Sequence, residues 1–259
     1  MKKLQLFLLG VIGLVNAYAQ KLPNIQQTSL RAPANIKIDG NLNEWDGKFE
    51  AHNSGSRVFY TLSNDGSNLY LTLQTDDSQS TEKALEGGIT FTIAPTNSKA
   101  KPIEVTFHAN PNKDMLEVLP FLVYKYRDLP KDPVLNKRRI DSVAGVAHNL
   151  IKKNFKQVLV NGVPGVDEPL LSIYNTQGIL VAAKLDNRLK YVYELALPLK
   201  LLSTVITPGG LSKYKIRVNV HGVIKTPGQF APPMPKTDNI DNLYGNNDTD
   251  FRGEYTSAK

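Results

Sequence analysis

The chain has 259 residues, no cysteine, and 31 Lys and Arg against 24 Asp and Glu, a formal net charge of +7. A hydrophobic share of 41% is that of a globular chain and excludes wholesale disorder. Without cysteine there is no disulfide framework, no thiol nucleophile and no Cys-ligated zinc or iron–sulfur centre.

Lys2 and Lys3 precede an apolar run from Leu4 to Val15, and Ala17-Tyr18-Ala19 has the small-x-small form of a cleavage site. This order predicts a signal peptide over residues 1–19. The run is short of the roughly 20 residues a spanning helix needs. The expectation is an exported protein, secreted or periplasmic, with no transmembrane segment after cleavage and a single domain over residues 20–259.

Strand patterns dominate that domain. Val58 to Leu62 and Leu69 to Leu73 are rich in β-branched and aromatic residues and flank Asn64-Asp65-Gly66-Ser67-Asn68, a hairpin signal. A brief helical turn over Thr81 to Glu86 is stopped by Gly87-Gly88. Ile89 to Ile93 and Ile103 to Phe107 alternate apolar and polar residues, as half-buried strands do. Ile140, Val143, Ala147, Leu150 and Ile151 recur at helical spacing, with Gly145 weakening the pattern. Strands follow at Val158 to Val160, Leu170 to Tyr174, Ile179 to Leu185 and Leu189 to Leu197, the last two joined by the turn Asp186-Asn187-Arg188. A short helix enters at Pro198, Lys213 to Val220 alternates again, and Asp250 to Thr256 supplies a last strand. Residues 229–247, rich in Pro, Asn and Asp, read as a long loop. The fold class expected is all-β, an antiparallel β-sandwich of jelly-roll or immunoglobulin-like type with one or two short helices.

Ile36-Lys37-Ile38-Asp39-Gly40-Asn41-Leu42-Asn43-Glu44-Trp45 resembles the opening of the family 9 carbohydrate-binding modules and their relatives. Val58 to Leu62 and Asn68 to Leu71 look like their next hairpin, Thr75-Asp76-Asp77 its end, Tyr193-Glu194-Leu195-Ala196-Leu197-Pro198 a late strand, and Lys215 to Val220 the strand after it. The resemblance runs in order from residue 33 to about 222. It implies a secreted β-sandwich that binds glycan ends, with structural calcium in many members. Sugar-binding members clamp a ring between two tryptophans, using aromatic faces against its C–H groups. This chain has Trp45 alone, within the opening motif, where burial in the core is expected with its N–H bonded.

Four residues are the candidates for ligand stacking. Phe230 and Tyr244 belong to the late loop, and Tyr124 and Tyr126 lie in an aromatic and basic stretch. Asp76 and Asp77 are the candidate oxygen ligands for calcium. The histidines His52, His108, His148 and His221 are dispersed and lack zinc-hydrolase spacing. No Gly-x-Ser-x-Gly elbow or phosphate loop occurs. Lys137-Arg138-Arg139 and Lys152, Lys153 and Lys156 form a basic run without interleaved aromatics, so nucleic acid is not the expected partner. The expected function is a non-catalytic binding module of the bacterial cell envelope, with a glycan as ligand. A scaffold for an envelope protein is the alternative. A haem domain, using Met115 with His108, is the second.

Overall fold

The structure, a computed structural model, describes residues 21–96, 99–109, 133–206, 212–222 and 247–258. The strands are β1 (Ala51–Asn53), β2 (Val58–Asn64), β3 (Asn68–Thr75), β4 (Ile89–Pro95), β5 (Ile103–Phe107), β6 (Gln157–Asn161), β7 (Leu170–Ser172), β8 (Leu180–Leu185), β9 (Tyr191–Pro198), β10 (Lys213–Val220) and β11 (Thr249–Thr256). Among the described residues two α-helices interrupt them, α1 (Ser78–Gly87) and α2 (Pro133–Asn154). The strands form two antiparallel sheets, a five-stranded one in the order β1-β2-β3-β9-β8 and a six-stranded one in the order β11-β10-β4-β5-β6-β7. The fold is an all-β sandwich, as the strand patterns predict.

The sheets meet through a continuous apolar layer. Tyr60 of the first sheet stacks on Phe251 of the second at 4.4 Å, and Tyr193 on Phe107 at 6.0 Å. Buried polar tips reach across the same layer, and the Tyr255 hydroxyl donates to the Leu62 carbonyl at 2.9 Å. The two expected hairpins are present, β2–β3 and β8–β9, with Leu62 opposite Leu71 and Leu185 opposite Tyr191.

The sequence reading of short helices needs correction at α2, which runs for 22 residues. Val143, Ala147 and Ile151 bury one face of it, at the spacing the pattern shows. A Cβ on Gly145 would meet nothing within 4 Å, so this glycine faces away from packed atoms. It costs its propensity of about 1 kcal/mol, which the buried face offsets. At the other helix, Asp77 caps α1, accepting the Ser80 backbone N–H at 2.7 Å, while the Ser80 hydroxyl accepts the Asp77 N–H at 3.1 Å.

The outer faces of the two sheets differ. On the five-stranded sheet, β9 is buried along its whole length. The segment before β1 crosses its outer side, where Ala32, Ile36 and Ile38 pack on Tyr70 and Ala196. On the six-stranded sheet, β10 keeps the alternation legible in its sequence. Tyr214, Ile216, Val218 and Val220 point into the core, and Lys213 and Lys215 are exposed on the opposite side.

Candidate functional site

One end of the six-stranded sheet gathers polar groups. The strand registers bring the ends of four strands together there. Ile89 pairs with Phe107 and with Val220, and Val220 pairs with Thr249. Gly87 and Gly88 close α1 against this end. A Cβ on Gly87 would lie 2.3 Å from the His221 carbonyl oxygen, so only glycine fits. Gly88, at φ +79°, accepts the His221 N–H at 3.1 Å and would place a Cβ 3.1 Å from the His108 nitrogen. The two histidines therefore flank one glycine pair.

His221 is the centre of the cluster. Its Nδ1 lies 3.1 Å from Asp248 Oδ2, and its Nε2 lies 2.7 Å from Thr90 Oγ1. Asp248 only accepts, so the ring donates to it from Nδ1 and shares a bond with the Thr90 hydroxyl at Nε2. Thr90 Oγ1 also lies 2.7 Å from Thr106 Oγ1, across the β4–β5 pair. Asp248 takes two further donors, Asn219 Nδ2 at 2.9 Å and the Gly222 N–H at 2.8 Å. Burial works to raise the Asp248 carboxyl, and these bonds, with the His221 charge, outweigh it and hold the group below its ordinary value. The hydroxyl–imidazole–carboxylate order has the connectivity of a proton relay. Here its hydroxyl belongs to a secondary alcohol in mid-sheet that is already shared with Thr106. The relay fixes the ring and leaves its edge half-exposed.

Two buried groups support the cluster. Lys83 of α1 has no exposed surface, and its Nζ donates to the Asn247 carbonyl at 2.8 Å and Thr249 Oγ1 at 2.9 Å. Burial pulls its pKa down to about 8, with the Asp248 charge opposing and Arg57 adding to the fall. His108 is 4% exposed, donates from Nε2 to the Leu85 carbonyl at 2.8 Å and stacks on Phe155 at 3.9 Å. Burial pushes it down to about 4. With Nε2 committed and Phe155 over its face, His108 does not fit a haem axial position. Met115 lies outside the described residues.

The stacking candidates Tyr124, Tyr126, Phe230 and Tyr244 also lie outside the described residues. The stretch holding the first two, 110–132, follows directly on Ala109. That holding the others, 223–246, follows Gly222 and ends before Asn247. The bond from Gly222 to Asp248 ties those two flanks together.

Asp76 and Asp77 are adjacent in sequence but serve separate partners. Asp76 Oδ2 meets His52 Nε2 at 2.9 Å, and the Asp76 carbonyl accepts Lys190 Nζ. Asp77 spends Oδ1 on the helix cap and Oδ2 on Arg57 at 3.0 Å. A calcium ion wants six to eight oxygens. A pair faced by Arg57, His52 and Lys190, with both Asp77 oxygens engaged, does not fit one. Among the described residues no three His, Asp or Glu side chains are grouped to hold a metal.

The opening motif has a structural role at a different place. Asp39 and Gly40 donate their backbone N–H groups to Glu194 Oε2 at 3.0 and 2.8 Å, and Gly40 has φ +78°. Trp45 is 8% exposed, so its faces are not open for stacking, and its indole N–H finds no hydrogen-bond partner among the described residues. The N–H bond expected for it is thus not seen. Glu194 is fully buried, and burial, aided by the charges of Asp39 and Glu44, pushes its carboxyl up to about 7 against the pull of the two N–H bonds.

No protein-family model and no curated protein matches the chain. No helix among the described residues is long and apolar enough to cross a membrane. The likeness to the family 9 carbohydrate-binding modules therefore rests on its residues. Sequence reasoning missed His221, Asp248 and Lys83 as a group. The one available signal was that Asn219, His221 and Asp248 flank the long loop on both sides.

Proposed function

We propose that this chain is an exported, non-catalytic binding domain whose ligand is a glycan, held at the sandwich end that carries His221 and Asp248. One observation supports the reading most directly. The described residues that flank the stretches holding the aromatic candidates, Ala109, Gly222 and Asn247, lie at this end beside a cluster of polar side chains. Stacking faces above polar donors are what a sugar requires, since a pyranose is apolar on its C–H faces and polar at its rim. The ordered likeness of residues 33–222 to carbohydrate-binding modules adds to it, and the pattern of residues 1–19 supports export.

In this mechanism Phe230 and Tyr244 supply aromatic faces, Tyr124 and Tyr126 widen the surface, and the exposed Asp248 carboxylate accepts from ring hydroxyls. The test is a thermal-shift screen of the chain from Gln20 against a panel of neutral and acidic glycans. A ligand at 100 times its Kd stabilises the fold by about 2.7 kcal/mol. A saturable shift that is lost in Phe230→Ala and Tyr244→Ala is the expected result. A folded protein that answers no glycan, and instead retains one protein partner on a column, overturns this reading in favour of the scaffold.

A further inference from the structure

The outward side of β10 carries Lys213, Lys215, Arg217 and Asn219, and His221 continues the series beyond the strand. Lys213, Lys215 and Arg217 have N–H groups to donate outward, while Asn219 is buried with its Nδ2 on Asp248 and His221. At about 3.4 Å per residue the stretch from Lys213 to Arg217 is about 14 Å long, longer than a single sugar ring. On one flank β4 presents short side chains in register, Thr90 beside Asn219, Thr92 beside Arg217 and Ala94 beside Lys215. On the other flank β11 sets Arg252 directly opposite Arg217. Between them lies an open groove of about 450 Å³, with Thr92, Ala94 and Gly253 low in it and Lys215, Arg217 and Arg252 along it.

The charges in this groove are not matched for folding. Like charges directly opposite across a strand pair are destabilising. Arg217 and Arg252 both turn to one oxygen, Asp250 Oδ2, with Arg252 Nη2 at 3.1 Å. One carboxylate serves two guanidiniums, which leaves one positive charge in excess and further N–H donors unspent. Glu254 is taken by Lys213 at 2.8 Å and stands directly opposite Lys215, whose charge also acts on it without a direct ion pair. Glu254 also lines the groove, and Glu104 of β5 pairs with Thr92 beyond it.

We infer that the groove along β10 is a binding track for an acidic polysaccharide, whose oxyanion groups take the Arg217, Arg252 and Lys215 donors while its hydroxyls meet Thr92. Guanidinium favours oxyanions held by paired N–H bonds, and a hydroxyl-rich chain suits a floor of Thr and Ala. The inference rests on the glycan reading above and names the ligand class within it.

The experiment measures binding of the chain from Gln20 to polygalacturonate, dextran sulfate and neutral dextran, with duplex DNA as competitor. Polygalacturonate and dextran sulfate separate carboxylate from sulfate as the preferred oxyanion. Either one binding in preference to neutral dextran, with affinity falling at least tenfold in Arg217→Gln and Lys215→Gln, is the expected result. Arg217→Lys keeps the charge and loses the paired geometry, so it should lie between. Lys215→Gln touches no ion pair and guards against a folding artefact. Binding to neutral glycans alone leaves the general reading standing and overturns this one, and no glycan binding at all overturns both. Acidic binding that is undiminished in the variants, or that DNA displaces equally, shows net charge at work and overturns the track.

Discussion

The two outer faces of the sandwich are treated in opposite ways. On the five-stranded sheet a chain segment lies across the outside of β9, so that strand is apolar on both sides and reads as Tyr-Val-Tyr-Glu-Leu-Ala-Leu-Pro. On the six-stranded sheet nothing described covers the outside of β10, so Lys-Tyr-Lys-Ile-Arg-Val-Asn-Val alternates. On the closed face Glu194 and Lys184 bond the covering segment, and Tyr70 packs beneath it. The open face contains a row of donors. The closed face is where this molecule stores stability, and the open face is free to be specified by what it meets.

The largest effect expected follows from the tether. Glu194→Ala removes the acceptor of the buried Gly40 N–H and the half-buried Asp39 N–H and leaves a cavity beneath them. A loss of about 3 kcal/mol in chemical denaturation is expected, and a change under 1 kcal/mol would mean that the cover holds without it. Glu194→Gln keeps an acceptor and should lose far less.

The same residue gives a pH test of the contrast. Raised to about 7 from 4.5, Glu194 binds its proton in the folded state where the unfolded chain has lost it. Its contribution is full below pH 4.5 and falls as pH rises through 7, by at most about 3 kcal/mol. His108, lowered to about 4 from 6.5, has the opposite sign, since the unfolded chain binds its proton first. Its contribution is lost as pH falls through 4 and full above 6.5. The two oppose each other over pH 4.5 to 6.5, which flattens the natural profile there. Glu194→Gln removes one of them, so stability of the variant should climb with pH across that window. A variant profile parallel to that of the natural chain would show that Glu194 does not titrate there.

Much of this arrangement is legible in the sequence, and for a physical reason. Strand period and turn residues are local, so the hairpins of β2–β3 and β8–β9 and the alternation of β10 are visible without a structure. The single Glu inside the apolar run of β9 was visible too, but its partners Asp39 and Gly40 lie more than 150 residues away. Helix α2 was underestimated because Gly145 has the same propensity wherever it points, and only the fold shows that it points away from packing. The polar cluster was hidden for a related reason. Thr90, His221 and Asp248 meet through strand register, which no local pattern records. Asp76 and Asp77 show the converse, since neighbours in sequence went to separate partners.

A middle-sized effect is expected where the open face ends. Lys83 ties α1 to Asn247 and Thr249, and Lys83→Met removes both bonds. A loss of about 1–2 kcal/mol is expected at pH 9, with faster amide exchange at the start of β11. Because burial lowers the Lys83 pKa to about 8 from 10.5, the unfolded chain binds more protons between those values, and stability rises with pH across them. Lys83→Met should abolish that rise. Persistence of the slope in the variant would assign it to another group. Thr106→Val is smaller, about 1 kcal/mol for one hydroxyl bond exchanged for a methyl of similar shape. His221 keeps its Thr90 contact in that variant, so an unchanged glycan affinity is expected beside the small stability loss.

The smallest effect sharpens the contrast most. Lys215 is exposed, stands outside every ion pair described and lies between Ala94 of β4 and Glu254 of β11 in register. Lys215→Gln should leave unfolding free energy within about 0.5 kcal/mol of the natural chain. A residue that folding can spare is under no constraint from the core, so its identity is left to solubility or to a ligand. Solubility would be served by a glutamate as well as by a lysine, and by charges of mixed sign along the strand. The outward row of β10 instead repeats cationic and amide donors with no acid among them. A Lys215→Gln variant of unchanged stability and unchanged polysaccharide affinity would show that the row is only a solvated surface. Unchanged stability with lost affinity would show that the open face is kept for binding.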